Sequence, residues 1–275
     1  MPELPEVETT RRYLAPVVEG AFIEAVEVRR DRMTRRHERP GDLAERMTGR
    51  RVLSLGRRGK FLVAPLDGGI TWVSHLGMSG RFSINAPGDP EAAHTNVVIH
   101  LRSRPQVRLV DPRTFGFVAA FTPDELARAM GSVGPDALDE LPSARSLGTA
   151  LAGRTAPIKA LLLDQRLAAG LGNIYADEVL FRARVAPERP GGTLTADEVR
   201  AVRAAIPVVL RAGLRHGGTS LDDLAYLLPD GRTGDYLSRL SAYGREGEPC
   251  RRCGGIIERT VVRGRSSFWC RDCQQ

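Results

Sequence analysis

Four thiols stand near the end of the chain as two Cys-x2-Cys pairs, Cys250 with Cys253 and Cys270 with Cys273, sixteen residues apart. Each pair can turn two thiolates toward one ion, and four thiolates at about 2.3 Å fill a tetrahedral Zn²⁺ shell without an open position. The chemistry this predicts is one structural Zn²⁺ that folds a hairpin; a redox role for the two pairs is the alternative. All four cysteines lie in the last 26 of 275 residues, which argues against a disulfide framework spread through a secreted fold.

From residue 251 to 269 the chain carries Arg251, Arg252, Arg259, Arg263 and Arg265 against one acid, Glu258. A zinc-held hairpin studded with arginine suits phosphate contacts. A second basic block spans residues 29–60, with twelve cations against four acids, and its net +8 exceeds the +7 of the whole chain. Such runs are often plain solvated faces, but two of them in one chain point to a polyanion, nucleic acid first. Only Lys60 and Lys159 are lysines among the 40 basic residues.

The segment Gly170 to Asn173 is a glycine-rich turn leading into a helical pattern. It could present backbone N–H groups and the Asn173 amide to an anion, or Asn173 could simply cap a helix. Glu3 and Glu6 flank Pro5, and by themselves would only dress the first turn of a helix, where acids suit the positive end of the dipole.

These residues need elements to hold them. From residue 21 to 121 short apolar or alternating runs (22–28, 52–55, 61–66, 71–76, 96–101, 107–110 and 116–121) are separated by Pro, Gly and Asp, the pattern of an antiparallel sandwich or barrel. Thr122 with Glu125 forms a capping box for a short helix ending at Gly131. Residues 131–146, with two Pro and two Gly, read as a linker. Helical patterns follow at 158–165 and 174–184. A longer helix opens at Thr195 with Glu198, is expected to kink at Pro207, and stops at Gly217 and Gly218. Residues 219–236 read as an irregular, mobile loop. With 42% hydrophobic and 27% charged residues the composition is that of a globular chain. The N-terminus has no apolar signal core, and no run approaches the roughly 18 apolar residues of a membrane span, so a cytoplasmic protein without membrane partners is expected.

Seven segments in order, PELPEVET, RRGK ending at Lys60, HLGMSG from His75, DPRTFG from Asp111, GLGNIYADE from Gly170, YGREGEPC from Tyr243 and the terminal cysteines, resemble the bacterial formamidopyrimidine-DNA glycosylases over essentially the full length. The resemblance implies an α+β multidomain fold. Its parts are an N-terminal antiparallel β-sandwich with flanking helices (1–133), a helical helix-two-turn-helix domain (134–242) and a C-terminal zinc-finger β-hairpin (243–275), with DNA between them. The related endonuclease VIII branch begins Pro-Glu-Gly-Pro, whereas this chain has Leu4, which favours the purine-directed branch.

The resemblance also implies roles. Pro2, exposed by removal of Met1, attacks C1′ of the damaged nucleotide; an α-amino group titrates near pH 8, about two units below lysine, so much more of it is nucleophilic at pH 7. Glu3 is the general acid/base, Glu6 supports the site, and Lys60 contacts the phosphate beside the lesion. Arg265 belongs to this reacting set through a neighbouring phosphate. His75, Met78, Arg113, Phe115, Lys159, Asn173 and Tyr243 are implied DNA contacts, with Met78, Arg113 and Phe115 entering the duplex when the base leaves it. Relatives often carry Arg or Lys where this chain has Thr114. The expected partner is double-stranded DNA with oxidised purines or abasic sites, acted on by a monomer in a bacterial cytoplasm. The alternatives are an endonuclease VIII-type enzyme for oxidised pyrimidines and a non-catalytic zinc-ribbon DNA-binding protein.

Overall fold

The structure is a computed structural model that describes residues 1–39, 41–220 and 226–275. The chain divides into two compact units, residues 1–131 with 216–235, and residues 132–215 with 236–275. This division cuts across the expected 134–242 segment, because residues 216–235 are held on the first unit by hydrogen bonds to its N-terminal helix. No helix among the described residues is long and apolar enough to cross a membrane.

The first unit opens with α1 (Leu4–Val18), whose N-cap is Glu3 and whose Pro5 lies within the first turn. Leu4, Val7, Leu14 and Val18 recur at helical spacing and are buried, so one face of α1 packs on the core. There follow β1 (Ile23–Val28), α2 (Asp42–Met47), β2 (Gly56–Arg58), β3 (Phe61–Pro65), β4 (Thr71–His75), β5 (Arg81–Asn85), β6 (Thr95–Leu101), β7 (Gln106–Val110), β8 (Phe117–Phe121) and α3 (Pro123–Met130). Two antiparallel four-stranded sheets result, ordered β1-β6-β7-β5 and β2-β3-β4-β8. Their inner faces meet in one core. Trp72 of β4 lies edge-on to Phe82 of β5, with 6.3 Å between ring centres, and Ile23, Ile99, Leu109, Leu62 and Val118 fill the layer with Leu14 of α1.

The sandwich was legible, with corrections. Residues 52–55 form no strand: Val52 makes one isolated bridge to Leu66. Two strands were not among the expected runs, β2, which is three residues long, and β5, whose five residues Arg81–Asn85 alternate but offer only two apolar side chains, Phe82 and Ile84.

The second unit contains α4 (Ala144–Leu151), α5 (Ile158–Leu162), α6 (Asn173–Ala183) and α7 (Ala196–Arg215), followed by the hairpin of β9 (Ile257–Val262) and β10 (Arg265–Cys270). Helix α7 remains helical through Pro207. The expected linker is packed structure. Gly134 N–H donates to Gln165 O (2.9 Å) and Ala137 N–H to Ala169 O (2.9 Å), and a Cβ on Gly134 would sit 2.1 Å from Arg166 O. Ser143 then caps α4 by accepting from Ser146 N–H. The expected mobile loop is likewise pinned at its ends, by Asp235 N–H on His216 O (3.0 Å) and Gly234 N–H on Ser220 Oγ (2.9 Å); residues 221–225 lie outside the described residues.

Candidate active site and zinc centre

The N-terminal residues are drawn into the first unit. Pro2 is buried, Glu3 and Glu6 are each 2% exposed, and Met1 ahead of them is exposed. Glu3 N–H donates to Glu6 Oε2 (2.9 Å), which is the local reason the chain turns into α1 at this point. The other carboxylate oxygen, Glu6 Oε1, accepts from Thr219 N–H (2.7 Å), and Tyr226 Oη donates to Glu6 O (3.2 Å). Gly218 has φ +84, and a Cβ there would lie 2.7 Å from Glu6 Oε1. The close approach therefore requires glycine. Sequence reasoning missed this clamp; its only local signal was the Gly217-Gly218 pair, which read as a helix stop.

Lys60, 7% exposed, immediately precedes β3, whose first residue Phe61 pairs with His75 at the end of β4. His75 is stacked on Phe117 (6.0 Å) and tilted against Phe61 (4.9 Å). Burial, with the positive charges of Lys60, Arg35 and Arg36, holds its pKa down at about 4, so the ring is neutral at pH 7. Nδ1 accepts from Gly77 N–H (3.0 Å), which assigns the ring proton to Nε2. His75 thus fixes the start of the turn that carries Met78 and keeps a neutral N–H donor.

Met78 and Phe115 are exposed apolar side chains, 37% and 41%, on adjacent loops. The loops touch backbone to backbone: Gly77 has φ +64, and a Cβ there would fall 2.4 Å from Phe115 C. Asp111, fully buried, is the hub beneath them. Oδ1 accepts from Ser79 Oγ (2.6 Å) and Arg113 N–H (3.2 Å), Oδ2 from Gly116 N–H (2.8 Å), and Asp111 O from Asn96 Nδ2 (2.8 Å). The Arg113 guanidinium lies over the Phe115 ring at 4.9 Å. Three residues of unlike chemistry are so gathered into one projecting edge on a rigid base. Asp111 and Ser79 sat inside recognised segments without an assigned role.

Much of the basic block is used internally. Arg46 pairs with Glu125 and donates to Ala120 O (2.9 Å), Arg57 reaches Glu8 (3.3 Å), and Arg39 joins Asp42 and Glu45. The local +8 therefore overstates the charge available to a polyanion.

In the second unit, Gln165 organises the glycine turn before α6: Oε1 accepts from Gly170 N–H (2.9 Å) and Nε2 donates to Leu171 O (2.9 Å). The N-cap of α6 is Gly172, so Asn173 is the first helical residue, not the cap. Its Nδ2 donates to Ser266 O (3.0 Å) on the zinc hairpin, and its Oδ1 is buried without a partner.

Lys159 corrects an expectation. It does not face solvent: its side chain is fully enclosed, paired with Asp177 Oδ1 (2.7 Å) and donating to Ser266 O (2.7 Å). An amphipathic pattern around one lysine cannot tell an exposed cation from one that meets a buried carboxylate. Asp177 also accepts from Ser267 Oγ and Phe268 N–H, both at 2.9 Å; burial pushes its pKa up, to about 6, against these donors and the Lys159 ammonium. Next to it, buried Glu178 accepts from the N–H groups of Ser241, Ala242 and Tyr243. Burial raises its pKa too. Tyr243 is half-buried with its ring edge-on to Phe268 (5.0 Å). The α6 carboxylates thus tether both the Tyr243 turn and the hairpin that presents Arg265, which is exposed just after a turn with left-handed Arg263 and Gly264.

The four cysteine sulfurs lie within 4.8 Å of one another, with Cys250 and Cys273 3.9 Å apart and Cys253 and Cys270 3.5 Å apart. A tetrahedral ion with 2.3 Å bonds needs sulfurs about 3.8 Å apart. The set fits one structural Zn²⁺, bound by all four thiolates and closed to substrate.

The sequence matches the formamidopyrimidine-DNA glycosylase N-terminal domain over residues 1–118, the formamidopyrimidine-DNA glycosylase H2TH domain over 133–224, and the zinc finger found in FPG and IleRS over 247–275. It is 44% identical to the formamidopyrimidine-DNA glycosylase of Ruegeria pomeroyi over 290 residues, covering all of both chains, and 44% identical to that of Thermus thermophilus over 276 residues, covering all of this chain and 98% of the relative. Among solved structures, a Lactococcus lactis FPG variant in complex with a Fapy-dG containing DNA superposes with a TM-score of 0.91 at 31% identity over 100% of both chains. Lactococcus lactis Fpg with an abasic site containing DNA gives 0.90 at 32% identity over 99% of both. With its sandwich, its two-turn helical unit and its four-cysteine zinc finger, this chain belongs to the formamidopyrimidine-DNA glycosylase family and is a DNA glycosylase of base-excision repair.

Proposed function

We propose that this chain releases oxidised or ring-opened purines, 8-oxoguanine and formamidopyrimidines among them, from double-stranded DNA through Pro2 and then cuts the strand at the abasic site. The observation that carries the reading is the N-terminus, where Pro2 and Glu3 are buried at the head of α1 and Glu3 is held by Glu6. Once Met1 is removed, the secondary amine of Pro2 bonds to C1′ as the glycosidic bond breaks and the base leaves with a proton. Glu3 supplies the proton that opens the sugar ring. The resulting iminium has no N–H to lose, so it stays charged and draws electrons from C2′. Loss of the C2′ proton expels the 3′ phosphate, a second elimination expels the 5′ phosphate, and water frees Pro2. Lys60 and Arg265 supply the positive charge that the leaving phosphates need.

Met78, Arg113 and Phe115 fill the space left by the extruded base, a step that costs a few kcal/mol of stacking and pairing. His75 donates through Nε2 to a phosphate, and Asn173 and Tyr243 add contacts from the second unit. For Asn173 this requires its amide nitrogen to leave Ser266 O. The DNA of the Lactococcus lactis complexes, with Fapy-dG or an abasic site, supports this partner. The reading extends to a monomer working in the bacterial cytoplasm.

A second reading, action on oxidised pyrimidines, is favoured by Lactococcus lactis FPG having been solved with an oxidized pyrimidine containing DNA. One experiment separates the two. The protein is incubated with duplexes carrying 8-oxoguanine opposite cytosine or thymine glycol, and borohydride is added. A covalent adduct that forms faster with 8-oxoguanine supports the purine reading, faster trapping with thymine glycol favours the second, and no adduct with either refutes the Pro2 chemistry.

A further inference from the structure

The projecting loop of Arg113, Thr114 and Phe115 is held from below by Asp111, which grips the N–H groups at its two ends. Its tip is a different matter. Thr114 has φ +52, a left-handed conformation that a β-branched residue adopts only under restraint. The carbonyls of Thr114, Phe115 and Gly116 all accept from two arginines about eighty positions earlier. Arg32 Nε donates to Thr114 O (3.3 Å); Arg35 donates to Phe115 O (2.8 Å) and Gly116 O (2.5 Å) through its two terminal nitrogens. Arg35 is itself aimed by a bond to Arg32 O (2.8 Å) and by the Phe117 ring, 5.6 Å from its guanidinium carbon.

We propose that Arg35 is a positioning residue for base extrusion, its two-pronged guanidinium holding the Phe115 and Gly116 carbonyls so that the Arg113 to Phe115 edge stands ready to enter the duplex. The inference rests on the proposed insertion of Met78, Arg113 and Phe115. Two carbonyls on successive residues match the spacing of a planar fork, which a lysine ammonium cannot reproduce although it keeps the charge. With the fork gone, Thr114 can relax out of its left-handed conformation, and Phe115 loses the attitude that insertion needs.

A duplex with a preformed abasic site has no base left to extrude, so it separates positioning for extrusion from damage to the fold or to the eliminating groups. Arg35→Lys should slow single-turnover release of 8-oxoguanine about tenfold or more, while cleavage of the abasic duplex stays within about twofold of the parent. Arg35→Ala should keep the parent's dependence of DNA affinity on salt. Equal loss on both duplexes, parental base release by Arg35→Lys, or a salt slope smaller by about one in Arg35→Ala, the mark of a lost phosphate contact, would each overturn the proposal. Phe115→Ala separates this failure from that of the underlying reading. If it also releases 8-oxoguanine at the parental rate, insertion itself is wrong and the proposal falls with it; if Phe115→Ala is slow and Arg35→Lys is not, only the role of Arg35 falls.

Discussion

The carboxylate of Glu6 accepts a hydrogen bond from the backbone N–H of Thr219, 213 positions later in the chain, at 2.7 Å. The same carboxylate holds Glu3 N–H, so one buried side chain joins the Pro2–Glu3 segment to the segment that follows α7. Glu6→Gln replaces one of the two acceptor oxygens by a donor facing an N–H group, and a buried donor left unmatched costs about 1–3 kcal/mol. Urea unfolding should show a loss of that size, and borohydride trapping should slow with little change in DNA affinity. Gly218→Ala, which crowds the same carboxylate, should produce the same pair of effects.

Lys159 and Asp177 form a fully enclosed ion pair. Removing one partner strands the other charge, at a cost of about 3–5 kcal/mol, whereas replacing both by apolar groups of similar volume is far milder. Lys159→Met should therefore lower the thermal midpoint sharply, and Lys159→Met with Asp177→Leu should recover most of it. A double variant no more stable than the single one would show that Lys159 acts elsewhere.

The depressed pKa of His75 has a consequence in acid. Between its folded value of about 4 and the ordinary 6.5, the unfolded chain binds more protons than the folded one, so stability rises with pH across that window. What neutral His75 contributes is complete above about pH 6.5 and is lost as the pH falls toward 4. Urea midpoints recorded from pH 7 to 4 should fall less steeply for His75→Asn, which keeps an acceptor for Gly77 N–H and cannot titrate.

The zinc finger should hold one Zn²⁺ per chain. A strong chelator or Cys270→Ser should release it, unfold the hairpin seen by circular dichroism and weaken DNA binding, because metal affinity and folding free energy are coupled here. Arg265→Ala should retain the zinc and reduce the salt slope of DNA binding by about one.

Several features could be read directly because their causes are local. Two Cys-x2-Cys turns bring their own ligands together, and Thr122 with Glu125 and Thr195 with Glu198 cap helices within four residues, as the structure bears out. The alternating strands foretold a sandwich because a two-residue period already separates core from solvent. The short β2 has no apolar residue to mark it, and β5 alternates over only five residues with two apolar side chains, so pairing with β3 and β7 is what defines them as strands.

The sequence by itself thus determined the family, the four zinc-ligating cysteines and the seven segments that mark the family. Tertiary structure decided what each charge is for. Whether an arginine in the basic block meets solvent or a backbone carbonyl, as Arg35 meets Phe115 O and Gly116 O, depends on a residue eighty positions away. Lys159 and Asp177 look like any exposed pair on helical segments until the hairpin closes over them. Hydrogen bonds and ion pairs act over about 3 Å, and only the folded chain sets which distant groups come within that range.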